Sequence, residues 1–161
     1  MSLVRRVRTP ITEGELMRRL VAMATVAAFT VLALATAAYA ATVVGTGAGE
    51  TIVGTEASDH MLGLSGEDTL SGKTGGDELY GSGGSDALNG AEGADDLTGG
   101  GGSDALNAGP GNDVVYAYDG VKDTVKCGKG ADKVFGEDRD DIHRDCETLN
   151  GDTTWQQSQP G

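Results

Sequence analysis

Large side chains and basic residues are both scarce in this 161-residue sequence. Aromatic residues make up only 4% of the chain, which is too few for a conventional core packed from large side chains. Lys and Arg number 12 against 25 Asp and Glu, so the net charge is −13. Nucleic acid is therefore excluded as a partner, because its phosphates would be repelled. Carboxylates in such number instead suit hard cations.

Residue patterns that carry catalysis are also lacking. The sequence has no G-x-S-x-G, H-E-x-x-H or C-x-x-C motif, and its only histidines are His60 and His143. We interpret both histidines as surface residues. The carboxylates recur as a ladder along the chain rather than as one acid–base pair in a cleft. We therefore expect no enzymatic activity.

Glycine, in contrast, is abundant, with 27 residues. This composition is compatible either with a disordered linker or with a repeat fold whose turns require glycine. The distinction depends on whether the glycines recur at a fixed spacing.

The amino-terminal segment, residues 1–40, differs in character from the rest. Arg18 and Arg19 precede an apolar run over residues 20–37, which ends in Ala38-Tyr39-Ala40. This order predicts a secretory signal peptide over residues 1–40, cleaved after Ala40. A signal of ordinary length would begin at Met17, so we expect translation to start there. We expect export by the Sec route, with the twin-arginine route as the alternative.

An uncleaved membrane anchor is the other interpretation of the apolar run, which is almost long enough to span a bilayer. Its alanine content and its small-residue ending favour the signal peptide. No cysteine lies near the cleavage point, which disfavours a lipoprotein. After cleavage we expect a secreted, extracellular protein with no membrane span.

A nine-residue unit repeats eight times without a gap from residue 45 to residue 116. The units are GTGAGETIV, GTEASDHML, GLSGEDTLS, GKTGGDELY, GSGGSDALN, GAEGADDLT, GGGGSDALN and AGPGNDVVY. Position one is Gly in all but the last unit, position six is Asp in all but the first, and position eight is always apolar. We interpret the first six residues of a unit as a turn and the last three as a short strand.

One inward side chain per strand cannot form a core alone, but stacked units can. We expect two units per coil, with turns on opposite edges, and hence an all-β parallel β-roll (a β-solenoid) of 18-residue coils over residues 41–116. The heptapeptide GGSDALN occurs at 83–89 and again at 101–107, so its second copy follows the first by two units. The two copies should therefore lie one upon the other, with Leu88 against Leu106.

Position six places carboxylates in two columns, one on each edge of the stack. Asp68, Asp86 and Asp104 should share one edge, and Asp59, Asp77, Asp95 and Asp113 the other. Neighbouring coils lie about 4.8 Å apart, so bare carboxylates would repel each other. A cation between successive turns, bound also by backbone carbonyls, would remove the repulsion. Oxygen ligands alone favour calcium, with magnesium second.

The pattern G-G-x-G-x-D-x-L-x resembles the calcium-binding nonapeptide of repeats-in-toxin (RTX) proteins. The chain is similar to standalone, secreted RTX-like proteins of actinobacteria. This resemblance implies a parallel β-roll that holds several Ca²⁺ ions between its turns. The implied ligands are the carboxylates of Asp59, Asp68, Asp77, Asp86, Asp95, Asp104 and Asp113, taken in pairs one coil apart, with turn carbonyls near Gly63, Gly72, Gly81, Gly90 and Gly99.

The repeats also depart from the RTX pattern. The second Gly of the motif is present only at Gly100 and Gly109, and the first two units carry Ala48 and Ala57 at position four. The first unit has Glu50 in place of Asp. We therefore expect Glu50 to be a weaker ligand and this end of the roll to bind calcium weakly.

The register slips after Tyr116, and we interpret residues 117–150 as an irregular β-solenoid cap. The spacing between Cys127 and Cys146 is close to the length of one coil, and an exported chain meets an oxidising compartment. Stacking would bring their Cα atoms within disulfide range, so we predict a disulfide; two free buried thiols are the alternative. Residues 151–161 should form a disordered tail.

Together these patterns predict a secreted calcium-binding protein whose roll folds when calcium binds. The alternative is a cell-surface or matrix adhesion protein, or a spacer, made rigid by calcium. An ice-binding solenoid is disfavoured because the outward positions seven and nine form no threonine ladder. No protein or polysaccharide partner can be identified from the sequence.

Overall fold

The computed structural model describes residues 30–32, 39–146 and 148–149. These residues form β1 (Thr30–Leu32), β2 (Thr42–Val44), β3 (Thr51–Val53), β4 (His60–Ser65), β5 (Thr69–Thr74), β6 (Glu78–Gly83), β7 (Ala87–Glu92), β8 (Asp96–Gly101), β9 (Ala105–Pro110), β10 (Val114–Tyr116), β11 (Thr124–Lys129), β12 (Lys133–Phe135), β13 (Asp141–Ile142) and β14 (Thr148–Leu149). The proposed start at Met17, most of the predicted signal peptide and the 151–161 tail lie outside the described residues. Nothing in the described ranges is a helix long and apolar enough to cross a membrane.

Successive strands alternate between two parallel sheets. The odd-numbered strands form one seven-stranded sheet, in the order β1-β3-β5-β7-β9-β11-β13, and the even-numbered strands form the other. Each coil therefore supplies one strand to each sheet. This confirms the predicted all-β parallel solenoid with two nonapeptides per coil. Cleavage after Ala40 would remove β1, which pairs with β3.

The two copies of the repeated heptapeptide stack as expected. Leu88 in β7 pairs in register with Leu106 in β9, and Asn89 pairs with Asn107. The Asn107 side-chain amide also donates a hydrogen bond to Asn89 Oδ1 at 2.9 Å. The two-unit step of the sequence is thus the length of one coil.

Most of the core consists of one row of apolar side chains in each sheet. The position-eight residues are at most 1% exposed, and they are Ile52, Met61, Leu70, Leu79, Leu88, Leu97, Leu106 and Val115. Val125 and Val134 continue the two rows into the cap and are fully buried. Burial of one apolar residue per strand stabilises the stack only because neighbouring coils cover both sides of each residue.

The predicted three-residue strands were too short for the middle of the roll. There each strand spans six residues, as in β5 (Thr69–Thr74), because ladder pairing continues through the first three positions of the following unit. Lys73, for example, pairs with Ala91 in the next coil. Only positions four to six remain as the turn.

Position two adopts a left-handed backbone in the central units. The φ angle is 85° at Lys73 and 73° at Ala91, and 98° and 112° at Gly100 and Gly109. Glycine adopts this conformation without steric cost, whereas a side chain does not. The loss of the motif's second glycine therefore places Lys73 and Ala91 in a conformation that glycine would adopt more easily.

The cap continues both sheets in spite of the register slip. Thr124 pairs with Ala105, and Val134 pairs with Val115, so both steps are one residue longer than a repeat coil because both include the one residue inserted between β10 and β11. Cys127 and Cys146 form the predicted disulfide, with their Cα atoms 5.0 Å apart. The last coils of the roll are thus joined both by strand pairing and by a covalent bond.

Candidate metal centre

Each turn carboxylate holds the backbone of the preceding coil. The backbone N–H of Asp68 donates to Asp86 Oδ1 at 2.8 Å, and that of Asp86 donates to Asp104 Oδ1 at 2.8 Å. On the other edge, the Asp77 backbone N–H donates to Asp95 Oδ1 at 2.8 Å, and the Asp95 backbone N–H donates to Asp113 Oδ1 at 2.9 Å. The structure therefore brings the predicted aspartates into two columns, one for each edge.

The second carboxylate oxygen has no partner in most of these turns. The oxygens that are buried without a hydrogen bond are Oδ2 of Asp68, Asp77, Asp86, Asp95, Asp104, Asp113, Asp123 and Asp132. A buried carboxylate oxygen without a donor is strongly disfavoured unless a positive charge lies beside it. The columns thus contain a regular series of oxygens that could serve as metal ligands.

Backbone carbonyls lie next to these oxygens, at position one of each unit. A Cβ built on Gly63 would lie 2.5 Å from Asp68 Oδ2 and 2.9 Å from the carbonyl oxygen of Gly81. The same arrangement recurs at Gly72, with Asp77 Oδ2 and the Gly90 carbonyl. The carbonyls of Gly63, Gly72, Gly81, Gly90 and Gly99 all approach a position-one glycine of the preceding coil in this way. Glycine leaves the space that a side chain would fill.

The donor set fits a hard, oxygen-coordinated cation. It consists of carboxylate and carbonyl oxygens, which calcium accepts in flexible geometry. Asp carboxylates paired one coil apart, with the position-one carbonyls, would hold the ion.

The electrostatics of the turns also favour a bound cation. The pKa of Asp77 is raised to about 6, mainly by burial. A backbone hydrogen bond from Asp59 lowers this pKa, whereas the negative charges of Asp95 and Asp59 raise it further. Burial likewise raises the pKa of Asp113 to about 6. Desolvation penalises the charged form of a carboxylate, so a positive charge is required to keep these groups ionised without that penalty.

The two amino-terminal turns are built differently. Asp59 Oδ2 accepts a hydrogen bond from the Thr55 backbone N–H at 2.5 Å and lies 3.1 Å from Thr55 Oγ1. Glu50 Oε2 accepts from the Thr46 backbone N–H at 2.8 Å, and its Oε1 bonds to the Thr46 hydroxyl. Each carboxylate is therefore satisfied within its own turn. Asp59 keeps the contact that the central aspartates make with the preceding coil, because its Oδ1 accepts the Ala41 backbone N–H at 2.7 Å. Its Oδ2, however, is bonded within its own turn, like the Glu50 carboxylate.

Three acidic residues that the sequence analysis did not include continue the columns into the cap. Asp123 Oδ1 and Asp132 Oδ1 accept backbone N–H groups from Asp104 at 2.8 Å and from Asp113 at 2.9 Å. Asp140 Oδ1 accepts from Asp123 at 3.0 Å, while its Oδ2 accepts from the Glu137 N–H at 2.6 Å. The signal for all three is the pattern Asp-x-apolar-x at 123–126, 132–135 and 140–143. A strict nine-residue step from Asp113 misses Asp123 and Asp132 by one residue each.

A different cluster lies beside the disulfide. One ligand atom each from Cys127, Asp145 and Cys146 lies within 4.8 Å of the others, but both sulfurs are bonded to each other. Although burial opposes the effect, hydrogen bonds from His143 and from the Gly128 and Cys127 backbones lower the pKa of Asp145. Because both sulfurs are in the disulfide, Asp145 is the only carboxylate or thiolate ligand that this group retains.

Comparison with known proteins agrees with this geometry. The family model of the RTX calcium-binding nonapeptide repeat matches in four overlapping copies, at residues 44–79, 62–97, 80–115 and 98–121. Each copy begins one coil after the copy before it. No curated protein and no solved structure matches the chain. The segment 44–121 therefore belongs to the family of RTX calcium-binding nonapeptide repeats.

Proposed function

We propose that the protein is a secreted calcium-binding protein whose roll folds when Ca²⁺ binds between its coils. The observation that carries this proposal is the series of buried, unpartnered Oδ2 atoms in the two columns. Each of them lies in a turn whose other carboxylate oxygen already holds the neighbouring coil, so that Oδ2 is left to bind a cation.

Coupling of binding to folding follows from the charge of the columns. Two carboxylates about 5 Å apart repel by roughly 3 kcal/mol at an effective dielectric of 20, and the repulsion recurs at each pair of coils. Calcium converts it into attraction between the same coils. Because the ligands of one ion come from two coils, the site exists only when those coils are stacked, and binding stabilises the stack.

The proposed compartment is extracellular. The acidic turns suit calcium at the 10⁻⁴–10⁻³ M level that is typical of extracellular modules. The Cys127–Cys146 disulfide is stable where the surroundings are oxidising. Both features agree with the signal peptide expected over residues 1–40.

We further propose that the protein binds ions and catalyses no reaction. In the part of the chain that the structure describes, His60 and His143 lie on the surface, each within 2.9 Å of a carboxylate, Glu78 and Asp145 respectively. These exposed pairs are typical of surface salt bridges rather than of a catalytic site.

The test is circular dichroism of the protein in chelator and then with calcium added. We expect little β signal in chelator, a cooperative gain with calcium in the millimolar range, and reversal by excess chelator. Magnesium at the same concentration is the ionic control and should produce a smaller change. A full β spectrum in chelator that calcium does not alter would contradict the proposal.

A further inference from the structure

The turn from Cys127 to Asp132 lies beyond the last matched residue, 121, yet it has the geometry of a repeat turn. Its sequence Cys-Gly-Lys-Gly-Ala-Asp keeps glycine at positions two and four. Gly128 and Gly130 have φ angles of 95° and 146°. A Cβ on them would lie only 2.2 Å from the Gly109 carbonyl oxygen and 1.3 Å from the Gly111 carbonyl oxygen. The turn is thus stacked as closely on its neighbour as those of the recognised repeats.

Asp132 is the last residue of this turn, and its surroundings are those expected of a metal ligand. Its side chain is fully buried, and its Oδ1 accepts the Asp113 backbone N–H at 2.9 Å. Its Oδ2 has no hydrogen-bond partner, and neither has Oδ2 of Asp113 in the adjacent coil. Two unpaired carboxylate oxygens from successive coils therefore occur here, as they do between the central turns.

The opposite edge carries a second pair, although its turn has been altered. Asp123 is 1% exposed, and its Oδ1 accepts the Asp104 backbone N–H at 2.8 Å. Oδ2 of Asp123 and Oδ2 of Asp104 are both buried without a partner. The turn that leads to Asp123 is one residue longer than a repeat turn. In this turn the Asp119 carboxylate accepts hydrogen bonds from the Gly102 and Val121 backbone N–H groups at 2.8 and 2.7 Å. Asp119 adds negative charge beside the pair.

We infer that the cation columns continue past the recognised repeats, with one calcium site between Asp113 and Asp132 and another between Asp104 and Asp123. The inference rests on the proposed calcium binding. The cap then does more than cover the end of the core, because its turns are held by the same ions as the roll. The cap turn has Cys127 at position one, where most repeats have glycine. This side chain does not set the turn apart from the family, because the last repeat also has a side chain at position one, Ala108.

The alternative for these oxygens is a neutral carboxyl group that binds no ion. It predicts that Asp123→Asn and Asp132→Asn bind as many calcium ions as the wild type.

The experiment counts the calcium ions bound per chain by native mass spectrometry of the disulfide-intact, full-length protein. Asp123→Asn and Asp132→Asn remove the charge at each site while keeping an oxygen for the backbone N–H. Asp138→Asn removes the same charge from an exposed position of the cap and is the matched control. We expect both site variants to bind fewer ions than the wild type, and the control to bind as many.

Equal ion counts in all four proteins would overturn the inference while leaving calcium binding by the repeats intact. A wild-type protein that binds no calcium would instead refute the proposed function itself. Hydrogen exchange of the wild type keeps the test valid if a variant does not fold. Peptides covering residues 123–135 should gain protection when calcium is added, and protection there that is the same in chelator would overturn the inference.

Discussion

Asp95 Oδ1 accepts a hydrogen bond from the Asp77 backbone N–H at 2.8 Å, while Asp95 Oδ2 has no partner. One side chain thus has two separate tasks: it fixes the preceding coil, and it leaves a buried negative oxygen for a cation. A substitution can therefore remove the charge without removing the coil contact, which allows the two tasks to be measured separately.

Asp86→Asn should raise the calcium concentration needed for folding by roughly tenfold, or about 1.4 kcal/mol. The amide keeps an oxygen for the Asp68 N–H, but the charge is lost from two proposed sites. The measurement is a calcium titration followed by circular dichroism. Glu50→Gln is the control and should change the midpoint less, because Glu50 is already satisfied by Thr46. Equal shifts in the two variants would contradict the assignment of the columns.

The pH dependence of the metal-free roll should be opposite to that of the calcium-bound roll. Burial, first among the causes, raises the pKa of Asp77, Asp113 and Asp123 to about 6 from an ordinary 3.8. Without calcium, the stability contributed by these groups is fully present below their unfolded pKa and is lost as the pH rises through about 6. Circular dichroism in chelator should therefore show more β structure near pH 4 than near pH 7.

Protons and calcium compete for the same carboxylates, so calcium affinity should fall as the pH drops through about 6. Calorimetric titrations at about pH 5 and pH 7 would measure this. Affinity that is independent of pH would show that the raised-pKa aspartates are not the ligands.

Calcium should protect the Cys127–Cys146 disulfide from reduction. Cys127 begins the turn that ends at Asp132, and the bond joins it to the next coil. If the disulfide favours calcium binding in this turn, calcium must favour the disulfide by the same free energy. Thiol release by a reductant should be slower in calcium than in chelator. Equal rates would show that the last coil is independent of calcium.

Removal of the disulfide should also destabilise the calcium-bound protein. The chain-entropy model gives about 3 kcal/mol for a loop of this size. The variant Cys127→Ser/Cys146→Ser measures this loss by denaturant unfolding in calcium.

Lys73→Gly should stabilise the calcium-bound roll by up to about 1 kcal/mol. A left-handed backbone costs a residue with a side chain about 1–2 kcal/mol, and this cost disappears with glycine. Part of the gain is offset because glycine loses more conformational entropy on folding. The φ angle of Lys73 is 85°. Thr46→Gly is the matched control at the same position of the first unit. Because the Thr46 hydroxyl binds Glu50, this control should be destabilised. Denaturant unfolding in saturating calcium compares the two.

Gly93→Ala should prevent normal stacking of its turn. The added Cβ would lie 1.4 Å from the Gly75 carbonyl oxygen in the preceding coil, so the backbone of one coil must move. We expect a loss of at least about 4 kcal/mol, or no folding in calcium. Gly47→Ala meets nothing within 4 Å and should behave as the wild type. Similar unfolding curves for both variants would contradict the close stacking.

The sequence was sufficient to predict the solenoid because its period repeats without interruption, so that Leu88 and Leu106 could be paired without coordinates. The disulfide was predictable for a different reason: although the register slips after Tyr116, the spacing of Cys127 and Cys146 stays close to the length of one coil. Strand length was not, because pairing of residues such as Lys73 depends on a left-handed φ that no side chain reveals. Asp123 and Asp132 were missed because one inserted residue shifts both of them out of the nine-residue register.

The amino-terminal turns show a further limit of the repeat pattern. Position six of the second unit is Asp59, as the motif requires, but its carboxylate is satisfied by Thr55. In both of these turns the residue at position two is a threonine, Thr46 or Thr55, and the carboxylate accepts its backbone N–H and its hydroxyl. A consensus that records only Gly and Asp does not contain this information.

The disulfide should make the carboxy-terminal end of the roll more resistant to pulling than the amino-terminal end. Every coil contacts only its two neighbours, so a solenoid pulled from its ends can open only coil by coil. Cys127 is covalently joined to Cys146 in the following coil, so those two coils cannot separate under load. A protein stretched between its termini should therefore unzip from the amino-terminal end towards the disulfide, and each calcium ion would act as a step of resistance along that path.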